Sequence, residues 1–176
     1  MRKMASGAAS LVVLGALILG SALPVEATWA SCLAAVDGTY LNIVGGGQFA
    51  SSSLVTVTKD ALIQVTDADQ DGDTGVFDPF TSSHGVVTSC KLVGPAYQVK
   101  AYTLDFGQPE LVGNADPGVT GGMARVNYDV SITGRVLTGT LMLTGGLAPN
   151  AGADVAKTGT GVFQVPGIAI AGSRLN

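Results

Sequence analysis

The strongest constraint on the fold is a period-two alternation of apolar and polar residues in short segments. In ARVNYDVSIT (residues 124–133) every second residue is apolar or aromatic, and the residues between them are polar or charged. Successive side chains of a strand point to opposite faces of a sheet, so this pattern predicts a strand with one buried face and one wet face. AYQVKAYTLDF (96–106) and RVLTGTLMLT (135–144) alternate in the same way, although less strictly.

Eight segments are predicted as strands, because Thr, Val and Gly recur between turn residues and no long helical pattern follows the N-terminal region. They are residues 39–44, 53–59, 62–66, 84–92, 96–106, 124–133, 135–144 and 160–165. Tight turns at Asp60-Ala61, Gly94-Pro95 and Gly134 indicate antiparallel pairing in sequence order. We therefore predict an all-β fold, a single up-and-down antiparallel barrel of about eight strands, because closure removes the exposed sheet edges.

The N-terminal region predicts a cleaved signal peptide in residues 1–30. Two basic residues precede an uncharged apolar run at 11–23. This run is shorter than the roughly 20 apolar residues that a membrane span needs. Cleavage after Ala27 or Ala30 satisfies the small-residue rule. The barrel domain is then residues 31–176, secreted or periplasmic, with membrane contact only through the signal peptide during export.

The two cysteines, Cys32 and Cys90, are predicted to form a disulfide, since an exported chain meets an oxidising compartment. Two alternatives remain open. Cys32 lies near the mature N-terminus, where a lipid anchor would be attached, but Glu26 and the segment WAS before it do not fit a lipidation signal. Two unpaired buried thiols are the other alternative.

The charge of the chain disfavours one class of function. The chain carries 9 basic and 13 acidic residues, for a net charge of −4. The basic residues are scattered, so no stripe is present to neutralise phosphates, and nucleic-acid binding is disfavoured. Much of the acidity is concentrated in one segment, TDADQDGDTGVFDPF, at residues 66–80.

This acidic segment matches the spacing of a calcium-binding loop. The first four template ligand positions and the twelfth fall on aspartates, and Gly72 takes the turn position. The predicted calcium ligands are Asp67, Asp69, Asp71, Asp73 and Asp78. Asp78 is shorter than the usual bidentate Glu, and strands replace the flanking helices of an EF-hand. A solvated acidic loop is the alternative interpretation.

Four segments together resemble a known group of proteins. DGTYLNIV, SLVTVTKDALIQVTD, SSHGVV and YQVKAYTLDFG are similar to exported bacterial small barrels of the calycin type, which share their outline with lipocalins, avidin and allene oxide cyclase. The sequence departs from that pattern, because Tyr40 stands where Trp is usual and no Trp follows His84-Gly85. The resemblance implies a fold and no particular activity, with an interior that side chains fill or that holds one small apolar ligand.

An outer-membrane barrel has the same strand count and is the rival fold. Its apolar face would point outward to lipid between two aromatic girdles. Aromatic residues make up only 6% of this chain, and Pro166 interrupts the last predicted strand region.

The predicted cavity-lining residues are Tyr97, Tyr102, Phe106 and Tyr128, whose rings are apolar and, in the tyrosines, carry a hydroxyl that orients a ligand. An ordinary core position is the alternative for each of them. The single histidine, His84, has no neighbouring motif that supports a catalytic triad, so no catalytic residue is assigned.

Three functional hypotheses follow from the sequence. The first is a non-enzymatic exported barrel that binds a small apolar ligand or a partner at the cell surface. The second is a cyclase-like or isomerase-like enzyme in which Tyr128 or Asp105 steers a substrate. The third is a structural surface protein whose acidic loop is stiffened by calcium.

Overall fold

The structure, a computed structural model, describes residues 28–45, 50–68, 81–106, 123–147 and 163–175. These ranges form one helix and eight strands: α1 (Trp29–Val36), β1 (Gly38–Val44), β2 (Ser51–Val57), β3 (Leu62–Asp67), β4 (Ser83–Val93), β5 (Ala96–Phe106), β6 (Met123–Thr133), β7 (Val136–Leu147) and β8 (Phe163–Arg174). The strands pair antiparallel in sequence order, and β8 pairs with β1, which closes the barrel. The predicted all-β, eight-stranded up-and-down barrel is confirmed.

Residues 1–27, most of the predicted signal peptide, lie outside the described residues, so the signal peptide stays a prediction. Within the described ranges, no helix has the length and apolar character that a membrane span requires.

The last strand is longer than the sequence predicted. The expected strand ended before Pro166, whereas β8 continues to Arg174. The register between β7 and β8 shifts beside Pro166, and Gly167 has a positive φ of 73°. This β-bulge takes Pro166 out of the hydrogen-bond ladder, where its missing N–H would otherwise cost a bond. The strand therefore continues past the proline and reaches β1.

The helix α1 was not expected after the signal region, because eight residues rich in alanine give too short a periodic pattern. The side chain of Thr28 caps its first turn, with Oγ1 accepting a hydrogen bond from the Ser31 amide at 3.3 Å. Signal cleavage after Ala27 would keep this cap, and cleavage after Ala30 would remove it. The buried face of the helix, formed by Cys32, Leu33 and Val36, belongs to the main hydrophobic core.

Three connections fix α1 to the barrel. The Cys32–Cys90 disulfide joins it to β4 with a Cα–Cα distance of 5.8 Å, which confirms the predicted pairing and occupies the sulfur that lipidation would need. The hydroxyl of Tyr40 on β1 donates to the Val36 carbonyl at 2.9 Å. Arg174 on β8 donates to the carbonyl oxygens of Ala35 and Asp37, at the C-terminal end of the helix.

The two ends of the barrel differ. At the end we call the helix end, tight turns at 58–61, 94–95 and 134–135 join the strands, and α1 packs there. Apolar side chains fill the interior of this half, where Tyr40, Val57, Ile63, Cys90, Val99, Ile132 and Leu137 are all buried. At the opposite end, which we call the loop end, the chain passes from β1 to β2, from β3 to β4, from β5 to β6 and from β7 to β8. Residues 46–49, 69–80, 107–122 and 148–162, between these strands, lie outside the described residues.

Removing the disulfide is expected to weaken the barrel substantially. The bridge closes a separation of 58 residues, and on the chain-entropy account a loop of this length is worth about 4 kcal/mol. The double variant Cys32→Ser/Cys90→Ser should lose about that much free energy of unfolding in guanidinium denaturation. A reductant should shift the midpoint of the parent protein and leave that of the double variant in place. An unchanged midpoint in the double variant would show that the bridge does not stabilise the fold.

Candidate functional site

Five polar side chains line the barrel interior near the loop end. We call this group the polar belt: Asn42 on β1, Ser53 on β2, Ser83 on β4, and Thr103 and Asp105 on β5. All five are buried, and the most exposed of them, Asp105, has only 8% of its surface accessible. Strand alternation explains the inward orientation, because the residues on either side of Asn42 and of Ser53 are exposed.

The polar belt contains more hydrogen-bonding capacity than the described residues satisfy. Four of its atoms have no hydrogen-bond partner: Asn42 Oδ1, Ser53 Oγ, Thr103 Oγ1 and Asp105 Oδ1. Buried polar atoms are normally paired, and each unpaired one costs about 1–3 kcal/mol. Further unpartnered atoms, Asn127 Nδ2, Thr144 Oγ1 and Arg174 Nε, belong to residues outside the belt. The belt is the place where several such atoms lie on one interior surface.

Asp105 is the ionisable group of the belt. Burial raises the pKa of its carboxyl from 3.8 to about 6, and a hydrogen bond from the Ser83 hydroxyl lowers it in part. A carboxyl with this pKa changes its protonation state near neutral pH, so it is suited both to binding a donor and to transferring a proton.

The phenol of Tyr128 on β6 lies close to the belt. Burial raises its pKa, the Thr103 hydroxyl lowers it, and the negative charges of Asp67 and Asp105 raise it further. The Thr103 hydroxyl is near the phenol without normal hydrogen-bond geometry, so Thr103 Oγ1 remains unpartnered. Residues from β3, β5 and β6 therefore interact electrostatically across the interior. Tyr128 stays protonated and keeps an O–H that can donate.

The four aromatic residues predicted to line a cavity do not share one site. Tyr128 is buried in the interior, and Tyr97 is partly buried against the main core. Tyr102 and Phe106 lie on the outer face of β5, where Phe106 is 48% exposed. The reason is the strand period, because the inward positions of this part of β5 are Ala101, Thr103 and Asp105.

Tyr102 lines a shallow groove of about 510 Å³ on the outer face of β5, β6 and β7. Lys100 and Asp129 form an ion pair at 3.1 Å in this groove, and both side chains are more than half exposed. His84 also lies on the outer surface, opposite Gln64 of β3 and Leu104 of β5.

Of the predicted calcium ligands, only Asp67 lies in the described part of the chain, at the end of β3 and opposite Ser53. Asp69, Asp71, Asp73 and Asp78 lie outside the described residues. Within the described ranges, no group of three or more His, Cys, Asp or Glu side chains is arranged to hold a metal ion. The calcium site therefore stays a prediction.

Sequence reasoning did not identify Asn42, Ser53, Ser83 or Thr103 as site residues. A signal for them exists in LNIV and SSLVTV. In both segments a polar residue occupies a strand position that faces inward, and leucine or isoleucine occupies a neighbouring position that faces outward. Asp105 was named only within the enzyme hypothesis.

No family model, curated protein or solved structure matches this chain.

The raised pKa of Asp105 predicts a specific pH dependence of stability. Because the folded pKa is above the unfolded value of 3.8, the folded state binds more protons between pH 4 and 6. The contribution of Asp105 to the free energy of unfolding is therefore fully present below about pH 4 and is lost as pH rises through about 6. The loss is on the order of 3 kcal/mol.

Asp105→Asn removes this titration. We compare the free energy of unfolding of the variant with that of the parent, both measured by urea denaturation. The difference should shift in favour of the variant between pH 4 and pH 7, by an amount on the order of 3 kcal/mol. Asp60→Asn, in the exposed turn between β2 and β3, is the matched control and should follow the parent at both pH values. If the difference between Asp105→Asn and the parent does not change with pH, the carboxyl is not buried as described.

Proposed function

We propose that this protein is an exported, non-enzymatic barrel that binds one small ligand in its interior, near the loop end. The observation that carries the proposal is the set of unpartnered atoms in the polar belt. Several unpaired polar atoms in one place lower the stability of a fold, whereas a binding site needs such groups to orient its ligand.

Secretion or a periplasmic location is part of this proposal. The Cys32–Cys90 disulfide is compatible with an oxidising compartment outside the cytoplasm. The apolar run at residues 11–23 supports export.

The relation to calycin-type barrels is also part of the proposal. The closed barrel of eight antiparallel strands supports it at the level of strand number and pairing. The sequence suggested a mostly apolar ligand, and the belt adds a requirement, because such a ligand must also carry a group that satisfies buried acceptors. Binding to a partner at the cell surface stays a prediction.

If the belt serves binding and not folding, removing one of its unpaired atoms should stabilise the free protein. Ser53→Ala deletes an unpartnered buried hydroxyl and is expected to raise the free energy of unfolding by about 1 kcal/mol. Ser52→Ala changes the adjacent residue, which is exposed on the same strand, and is the matched control. Denaturation in urea measures both. A loss of stability in Ser53→Ala would mean that its hydroxyl is paired within the fold, and the proposed site would lose its basis.

An acid–base enzyme is the second candidate function. It is favoured by one observation: the interior contains both a carboxyl whose pKa is raised to about 6, that of Asp105, and a protonated phenol, that of Tyr128. Such a pair can remove a proton from a substrate at one atom and donate a hydrogen bond at another. Incubation with a small-molecule extract of the host, followed by mass spectrometry, tests this. A product formed by the parent protein and absent with Asp105→Asn supports catalysis, and no conversion favours simple binding.

The hypothesis of a calcium-stiffened loop has its own test. If the aspartates of residues 67–78 bind calcium, millimolar Ca²⁺ should raise the melting temperature, because a ligand that binds only the folded state stabilises it. Mg²⁺ at the same concentration should have a much smaller effect, since a flexible loop of carboxylates suits the larger ion. Asp71→Ala should abolish the rise. No calcium-dependent shift in the parent protein would exclude the site.

A further inference from the structure

We propose that the protein associates with a second copy of itself through an uncharged face on the outside of the barrel. The face is formed by the outward rows of four adjacent strands, β2, β1, β8 and β7. These rows are every second residue of 52–56, 39–43, 169–173 and 136–140, and we call them the neutral face. The proposal concerns a different surface from the interior site and does not depend on ligand binding.

Charge is distributed unevenly over the outside of the barrel. Within the described strands, every Lys, Arg, Asp or Glu at an outward position belongs to β4, β5 or β6, and these residues are Lys91, Lys100, Arg125 and Asp129. On β7, β8, β1, β2 and β3 the charged residues of the described ranges, Asp67 and Arg174, occupy inward positions. Depletion of charge is what distinguishes the centre of a protein interface from the rest of a surface.

The relief of the neutral face fits a two-fold axis. Leu41 and Ile43 project from β1 with about half of their surface exposed, and the residues beside them on β8 are small, Ser173 next to Leu41 and Ala171 next to Ile43. An axis between β1 and β8, parallel to the strands, brings Ile43 of each copy over Ala171 of the other and Leu41 over Ser173. A two-fold interface requires this kind of self-complementary surface.

The outer strands of the face fit the same axis. Leu54 lies opposite Leu41 on β2, and Val136 lies opposite Ser173 on β7, so the four residues form one row across the face. The axis brings Leu54 of one copy against Val136 of the other. Both side chains are exposed in the single chain. Their removal from water favours association, because apolar surface is transferred from solvent to an apolar contact.

The composition of the face favours a protein partner over a lipid surface. Half of its residues are serine or threonine, and none is aromatic or basic. The hydroxyls of Thr39 and Thr56 are bonded to each other at 3.0 Å, so they need no other partner in an interface. Surfaces that lie on membranes instead combine large apolar residues with Lys and Arg. An uncharged face also offers nothing to attract an oppositely charged partner, whereas it can meet a copy of itself without repulsion.

The size of the face predicts a weak dimer. Four strands about 4.8 Å apart, with three outward positions about 6.6 Å apart along each, outline about 400 Å² per copy and about 800 Å² for two copies. Stable specific interfaces bury about 1,200 Å² or more, and transient ones bury less. We therefore expect reversible association with a dissociation constant in the micromolar range or above.

Sedimentation equilibrium of the protein purified from its host, over a series of concentrations, measures this association. Ile43→Lys and Ala171→Glu should each weaken it by about ten-fold or more, because each would place an unpaired charge in the interface. Phe106→Lys changes a residue of similar exposure on β5, on the far side of the barrel, and is the matched control, expected to leave the dissociation constant unchanged. Since all three positions are exposed, the variants should keep the urea midpoint of the parent.

Mixing the two variants tests the arrangement of the copies. In a pair made of Ile43→Lys and Ala171→Glu, the introduced charges face each other at one contact and the original residues meet at the other, so an equal mixture should regain dimers. If the mixture stays monomeric, this packing is overturned. A parent protein that is monomeric throughout overturns the proposal, as does equal weakening by Phe106→Lys. Binding of a monomeric parent to phosphatidylcholine vesicles, lost in Ile43→Lys, would overturn it in favour of a lipid surface.

Discussion

The pairing of β8 with β1 is the interaction on which the rest of the structure depends. It converts an open meander into a closed barrel, and the interior of this barrel keeps the polar side chains of the belt from solvent. The bulge at Pro166 lets β8 continue to this pairing. Gly172 of β8 lies directly opposite Asn42, and a side chain at Gly172 would collide with the Asn42 amide oxygen and backbone. Closure of the barrel and placement of one belt residue therefore depend on the same contact.

The helix end and the loop end of the barrel interior contribute differently to stability. The helix end is held by apolar packing, the Cys32–Cys90 disulfide and the contacts of Arg174 with the end of α1. The loop end contains the unpartnered atoms of the polar belt, which lower the stability of the free protein. Proteins commonly retain such locally unfavourable groups at binding sites and offset them by packing elsewhere. The strong fixation of α1 is consistent with that compensation.

The sequence was sufficient to predict the barrel, its strand order and the disulfide, because period-two segments and tight turns are local signals. It missed α1, which is held by its disulfide and buried face, and the C-terminal half of β8, whose Gly-Ala-rich residues join a strand only through pairing with β1 and β7. The site was harder to predict. In AYQVKAYTLDF aromatic residues occur on both faces of the strand, so the sequence does not decide which face is inside. In the closed barrel Thr103 and Asp105 face inward, while Tyr102 and Phe106 face outward.

The central claim is that the polar belt is an incompletely satisfied hydrogen-bonding site that a small donor ligand completes. A crystal structure of the protein purified from its own host, at a resolution that shows ordered water, tests this claim most directly. The predicted result is a bound small molecule with a nitrogen or oxygen atom within about 3 Å of Asp105 Oδ1 and of at least one other belt atom. The contradictory result is a belt whose atoms, Asn42 Oδ1 and Asp105 Oδ1 above all, are bonded to other groups of the protein, with no small molecule bound in the barrel interior.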